Sequence, residues 1–398
     1  MHSSAAAQRA DGSAGRRVLI PEKGKGAKAE MLLWPRRQSL AGRFKKSLAL
    51  WSAALLMISL CACGYHNQAR TEILESGAPN EADFSVLSVT QLETEKEGQI
   101  LRYVGISGQS MVALWGKEQK KRLVLVGKSG YIKPCTEEME IIETSVICRG
   151  EHILFEAKNG EERVDIFLLD LTDESVRKIG SYLAEELLAP VGWQDGDISF
   201  VARNISGIVL SRYNAQEHTL ERVEDIDIYR EASKIEQNNA TLSSMFLTGN
   251  YVVSQLEIGT ASQIVVEDLR DAKEGNIFSA EGFSPAAAGG MIYYISQDGA
   301  LMGWKADTKE EKKIWDHTSF FVVSADGSKL AVVEKGEAAY KLYVVDTKSA
   351  QTLYVDIYRG IRSVYLNEDG SALLVCCQSE QTAQKGSYGG AYTFYELG

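Results

Sequence analysis

Phe320-Phe-Val-Val-Ser324, Ala325-Asp-Gly-Ser328, Lys329-Leu-Ala-Val-Val333, a polar turn, Lys341-Leu-Tyr-Val-Val345, Asp346-Thr-Lys-Ser349 and Gln351-Thr-Leu-Tyr-Val355 follow one another along the chain. Short β-branched and aromatic runs bounded by Asp, Gly, Ser and Lys read as strands and tight turns. The stretch predicts a four-strand antiparallel meander.

The same plan recurs outward from it. Turns after the first strand of each unit fall at Gly108, Gly150, Gly196, Gly249, Gly290, Gly327 and Gly370, in steps of 42, 46, 53, 41, 37 and 43 residues. Third strands recur as Asp165-Ile-Phe-Leu-Leu-Asp170, Gly207-Ile-Val-Leu-Ser211, Gln263-Ile-Val-Val-Glu267, Ala300-Leu-Met-Gly-Trp304 and Lys341–Val345, and Asp-Thr-Lys stands at both 307 and 346. Four-strand sheets at such a period, each burying its faces against its neighbours, are the signature of a β-propeller. The fold class is therefore all-β, with about seven units over 84–398; six or eight also fit, because 197–280 is irregular. The last unit shows only three strands, Arg362–Leu366, Ala372–Cys376 and Ala391–Tyr395. Phe84-Ser-Val-Leu-Ser-Val89 is expected to supply the fourth, closing the ring and removing an open edge.

Phrases such as Val323-Ser-Ala-Asp-Gly-Ser-Lys-Leu330 and Leu342-Tyr-Val-Val-Asp-Thr347 make residues 280–398 resemble bacterial WD-repeat-like and TolB-like propellers. The rest is similar to them in plan only. The Gly-His and Trp-Asp dipeptides of eukaryotic WD repeats are missing, so the resemblance implies a fold and no particular member's function.

Upstream, Arg36-Arg37 and Arg43-Phe-Lys-Lys46 precede the uncharged, apolar run from Leu48 to Cys63. Its 16 residues fall short of the roughly 20 that a spanning helix needs, so it reads as a signal segment. Leu60-Cys61-Ala62-Cys63, followed by Gly64, resembles the lipobox of bacterial lipoproteins. The resemblance implies cleavage before Cys63 and lipid on that cysteine; Cys61 is a tolerated departure at the second place. Residues 1–62 are then a signal peptide, with Met31 an alternative start. Polar residues 63–83, including Gly77 and Pro79, form a tether whose ends lie roughly 25 Å apart. The expected location is the outer face of a bacterial membrane.

Charge narrows the partners. The chain has 43 Lys/Arg and 54 Asp/Glu; 11 and 3 of these lie in the first 62 residues, which leaves 32 basic against 51 acidic beyond, or −19. Such a balance repels phosphate backbones and anionic headgroups, so nucleic acid is excluded as a partner and membrane contact is expected through the anchor alone.

Catalytic patterns are few. Only His152, His218 and His317 lie in the repeat domain, none at a zinc-like spacing. Gly105-Ile-Ser-Gly108 and Gly108-Gln-Ser-Met111 both fail Gly-x-Ser-x-Gly. Gly127-Lys-Ser129 ends like a phosphate loop, but Arg122 stands where its glycine belongs, so it reads as a hairpin turn. Asp195-Gly-Asp197 and Glu224-Asp-Ile-Asp227 lack calcium-loop spacing and read as solvated turns. Cys376 and Cys377, adjacent in a strand, point to opposite faces; Cys135 and Cys148 are left unassigned, with free thiols the default. Gln378 to Gly390 is a 13-residue polar loop where 2–5 would suffice, a candidate recognition loop around Tyr388.

The reading is a membrane-anchored propeller that binds an envelope protein or glycan, with no catalytic residue, metal or cofactor assigned. The alternative is a carbohydrate hydrolase or lyase with carboxylates drawn from different units. A solute-capturing lipoprotein of a transporter would alternate strands and helices, and this chain does not.

Overall fold

A computed structural model describes residues 84–92, 100–117, 119–204, 207–214, 218–223, 240–271, 276–378 and 390–398. Among them every long element is a strand; two short 3-10 turns, Glu143–Ser145 and Leu269–Asp271, are the only helical pieces. The meander anticipated at Phe320–Val355 is observed as Thr318–Val323, Lys329–Lys335, Tyr340–Asp346 and Thr352–Tyr358, paired antiparallel in that order. Its register sets Val323 against Leu330 and Val332 against Tyr343.

The Leu330-Ala-Val-Val run is apolar on both sides because the sheet is covered on both. Ala331 and Val333 pack with Val364, Leu373 and Val375 of the following sheet. Leu330 and Val332 pack with Tyr293 and Leu301 of the preceding one. Successive side chains point to opposite faces, so four consecutive buried residues require two neighbours. The other core clusters likewise join residues of adjacent sheets.

Among the described residues the strands pair into six sheets, four of four strands, one of five (Glu140–Leu183) and one of seven (Thr241–Trp315) that divides into two groups at a shared strand. Numbered in chain order from Ile100–Pro134, each group touches the next, with Ile100–Ser107 of the first against Ile361–Leu366 and Ala372–Gln378 of the last. This is the architecture of a β-propeller. One continuous strand, Asn276–Ala288, belongs to two groups, pairing with Ala261–Asp268 along its first half and Met291–Ser296 along its second.

All seven glycines of the predicted turns have positive φ, from +53° at Gly108 to +88° at Gly196. A Cβ at such a φ is strained, which is why the repeat is most legible through glycine.

Closure runs through the N-terminal strand. Val86–Leu92 pairs antiparallel with Gly390–Leu397 as the outer strand of the last sheet, with Val89 opposite Tyr395 and Thr90 opposite Phe394. The strand lies slightly later than the expected Phe84–Val89, because Phe84 leaves the ladder to pack in the core under the Lys329 ammonium, 4.5 Å from its ring. Cys376 and Cys377 do face opposite clusters, and the four cysteines of the domain are free thiols. Burial pushes the Cys148 and Cys377 thiols up to about 12, so both are held as neutral packing residues. Gly127-Lys-Ser129 is a hairpin turn, closed by Gly130 N donating to Gly127 O at 2.9 Å.

Asp195 is exposed in a hairpin turn and Asp197 opens the next strand half-buried, so the reading as a solvated turn holds for the first but omits the bonds that both make to other units. Asp195 accepts from Thr248 Oγ1 at 3.4 Å and Gly289 N at 3.3 Å, while Asp197 accepts from Gly249 N at 2.8 Å and pairs with Arg212 at 3.4 Å. They bind neighbouring units together. The first strand here, Gly192–Gln194, has only three residues, so carboxylates bridge a gap that a longer strand would fill.

Candidate functional site

Each sheet has two ends, one carrying its first and third hairpin turns and the other its second turn and the crossing to the next sheet. At the first of these ends, between the second and third groups, lies a cleft of about 90 Å³ lined by His152, Leu168, Asp170, Arg177, Trp193, Gly196, Ile198 and His218. Its volume is well below the roughly 300 Å³ at which ligand pockets begin, which suits one group of a larger partner.

The floor is apolar and fixed. Trp193 is 8% exposed and packs with Leu154, Leu168, Ile198 and Phe200. Arg149 Nη2 donates to its carbonyl at 3.3 Å and to Gln194 Oε1 at 3.4 Å, which pins the short strand from behind. The His152 ring meets the indole edge-on, with centroids 6.5 Å apart.

The rim is polar. His152 opens one strand and Asp170 closes its partner, directly opposite in the ladder, with Nε2 to Oδ2 at 3.4 Å. The other Asp170 oxygen accepts from Thr172 Oγ1 at 2.6 Å and Thr172 N at 2.9 Å. The Thr172 hydroxyl is the first cause holding this carboxyl below the usual range. Lys329 and Asp346 occupy the matching ladder positions in the sixth group and pair at 3.4 Å. The His152–Asp170 contact is thus first a fastening of the repeat. What distinguishes the second group is the neighbour it faces.

That neighbour contributes His218, carried at φ +54° in a turn. Arg177 Nη1 lies 2.6 Å from His218 Nε2, and Tyr213 Oη lies 3.1 Å from Nδ1. A guanidinium has donors only, so Nε2 must accept, and Nδ1–H is left to donate to the tyrosine. Behind it, Asp173 Oδ2 lies 3.5 Å from Arg177 Nη2. The result is an aromatic-floored notch with two imidazoles, one guanidinium and one carboxylate at its edge.

Sequence reasoning treated His152 and His218 separately and found no spacing that joined them; closure of adjacent sheets brings them to one cleft. The recurring Asp at the end of third strands, Asp170, Asp268 and Asp346, was the available signal for half of it. Among the described residues no group of three His, Cys, Asp or Glu could hold a metal. Leu60, Cys61, Ala62, Cys63 and Gly64, as well as Glu224–Asp227 and Tyr388, lie outside the described residues.

No protein-family model and no curated protein matches this sequence. Solved structures do. The β-propeller domain of the Trilobed protease from Pyrococcus furiosus, described with an open velcro topology, has a TM-score of 0.52 at 15% identity, over 74% of this chain and 95% of that one. Oligogalacturonate lyase from Vibrio parahaemolyticus has a TM-score of 0.48 at 9% identity, over 79% and 98%. The β-propeller domain of Cps50 (Swd1) from Myceliophteria thermophila has 0.46 at 12%, over 78% and 99%. The first of these likenesses supports the propeller fold; none speaks to chemistry.

Proposed function

We propose that this protein is a lipid-anchored extracytoplasmic binding module: Cys63 carries the lipid, residues 64–83 form the tether, and the propeller presents its rim to an envelope protein or glycan without catalysing a reaction. The observation that carries the reading is the notch between the second and third groups. Its aromatic floor is immobilised by packing, and its rim gathers Arg177, His152 and His218 beside Asp170. Shallow pockets of this kind, flanked by Arg and aromatic residues, anchor one group of a larger partner.

Two measurements test it. Cys63→Ala releases the chain from washed membranes into the soluble fraction; retention in the membrane contradicts the anchor. In pull-downs from envelope extract, the Arg177→Ala/His218→Ala double variant loses the partner that the wild-type chain captures. Equal capture by both removes the notch from the account, and turnover of envelope polysaccharide by the purified chain replaces binding with catalysis.

A further inference from the structure

The junction of the sixth and seventh groups fills a space that the junction of the second and third leaves open. Lys329 begins the second strand of the sixth group, directly opposite Asp346, which ends the third. Its ammonium stands 3.4 Å from Asp346 Oδ2 and 4.5 Å from the centre of the Phe84 ring. Its stem lies across the first turn of the seventh group. A Cβ placed on Gly370 of that turn would come within 2.7 Å of Lys329 Cβ and 2.9 Å of its Cγ and Cδ. Glycine there leaves room for an aliphatic chain to pass over the backbone.

His152, Asp170 and Gly196 hold the same three places at the notch. His152 begins the second strand of its group opposite Asp170 at the end of the third, and Gly196 lies in the first turn of the next group. All three line the cleft. The His152 ring meets Trp193 edge-on, and a Cβ on Gly196 would find no atom within 4 Å. The place that a lysine stem takes at one junction is therefore open at the other. Leu168, Trp193 and Ile198 wall it, and such apolar surface is what the stem of an amphipathic side chain covers.

The charges agree. Both Thr172 bonds end on Asp170 Oδ1, while Oδ2 faces His152 Nε2 at 3.4 Å and has lone-pair capacity for a further donor. Arg177 is matched by Asp173, and His218 Nε2 serves it as an acceptor. Asp170 is thus the lining carboxylate without a permanent cation, whereas Asp346 has Lys329. The −19 of the chain beyond residue 62 draws cationic groups towards this surface.

We infer that the notch receives a lysine side chain of a partner protein, its stem lying across Gly196 against Trp193 and its ammonium donating to Asp170 Oδ2. The inference rests on reading the domain as a binding module and names what the notch of that module holds.

The test follows the Trp193 indole N–H by NMR while the full chain is titrated with acetylated, amidated glycyl-lysyl-glycine. The same peptide with norleucine or Nε-acetyllysine in place of lysine, and the free diamine cadaverine, are titrated alongside. Saturable shifts with the lysine peptide are expected, with affinity about tenfold or more lower for the two neutral peptides and for the lysine peptide on Asp170→Asn. His152→Lys abolishes binding while remaining folded by thermal unfolding, because its own ammonium rebuilds the pair of the sixth group and its stem fills the notch. Equal affinity for the lysine and norleucine peptides, no saturable shift with the lysine peptide, or undiminished binding by His152→Lys overturns the inference. Tighter binding of cadaverine than of the peptide makes the ligand a free amine and overturns it too. If the wild-type chain captures an envelope partner that Arg177→Ala/His218→Ala loses, yet ignores the lysine peptide, the binding module stands and its lysine falls. If neither is bound, both fall.

Discussion

In the sheet from Thr318 to Tyr358, Leu330, Ala331, Val332, Val333, Leu342 and Val344 have no exposed surface, and every strand has six or seven residues. In the sheet from Gly192 to Arg222 the first strand has three residues, and the last, Thr219–Arg222, is exposed throughout. One is held by apolar faces, the other in part by side-chain bonds from Gln194, Asp195, Asp197, Ser199 and Arg212 to neighbouring sheets. Where strands shorten, polar side chains take over the joining of units, and there the notch lies. Regular groups of this ring are thus joined by apolar packing, and the irregular one, joined in part by polar side chains, borders the notch.

The largest effect expected from breaking this contrast is at the closure. Deleting Phe84–Leu92 removes a whole strand from the last sheet, takes Phe84 out of its core and leaves Gly390–Leu397 as an unpaired edge, and destabilisation beyond about 4–5 kcal/mol is expected by chemical denaturation. Next comes the regular sheet's core: Leu342→Ala costs about 2–5 kcal/mol, whereas Leu220→Ala, at 44% exposure in the irregular sheet, stays within about 0.5 kcal/mol. Equal losses at the two sites would remove the distinction.

A third expectation concerns pH. Burial, opposed by Arg212 and the Gly249 amide, leaves the Asp197 carboxyl above its ordinary value. The folded state then binds the proton more tightly than the unfolded one, so this group weakens the fold above its folded pKa and ceases to do so as pH falls through that value. Asp346 moves the other way: burial pushes it up, but the Ser349 amide and hydroxyl and Lys329 outweigh it and hold it down. Its contribution is present above the unfolded value and fades below it, towards its lower folded pKa. Stability of wild type relative to Asp197→Asn should therefore rise on acidification from neutrality towards pH of about 4, while that relative to Asp346→Asn should fall only below about 4. Parallel pH curves for the pair contradict the assignment.

The smallest effect lies where the shared strand Asn276–Ala288 bulges, between Phe283 and Ala286. Ser284→Gly relieves a left-handed backbone and should raise stability by about 1 kcal/mol in thermal unfolding.

The repeat was legible because glycine marks each first hairpin and because apolar runs such as Lys329–Val333 leave no polar face. The joining of Asn276–Ala288 across two sheets was hidden, since Gly282 and Pro285 suggest a break where the chain instead bulges. Asp195-Gly-Asp197 looked like a solvated turn because its partners, Thr248, Gly249 and Gly289, come from other sheets. The notch was hidden for the same reason: His152 and His218 are 66 residues apart, and no local pattern encodes contact between sheets. Lipidation at Cys63 rests on sequence alone, where the apolar run and small residues are contiguous.

Native-state hydrogen exchange of the backbone tests the contrast most directly. If the N-terminal strand closes the ring, amides of Val86–Leu92 paired with Gly390–Leu397 exchange only through global unfolding, at the same free energy as Ala331–Val333, while Thr219–Arg222 opens at a much lower one. Exchange of Val86–Leu92 as fast as Thr219–Arg222 would show an edge that is merely laid against the last sheet, and a ring that is closed by something else.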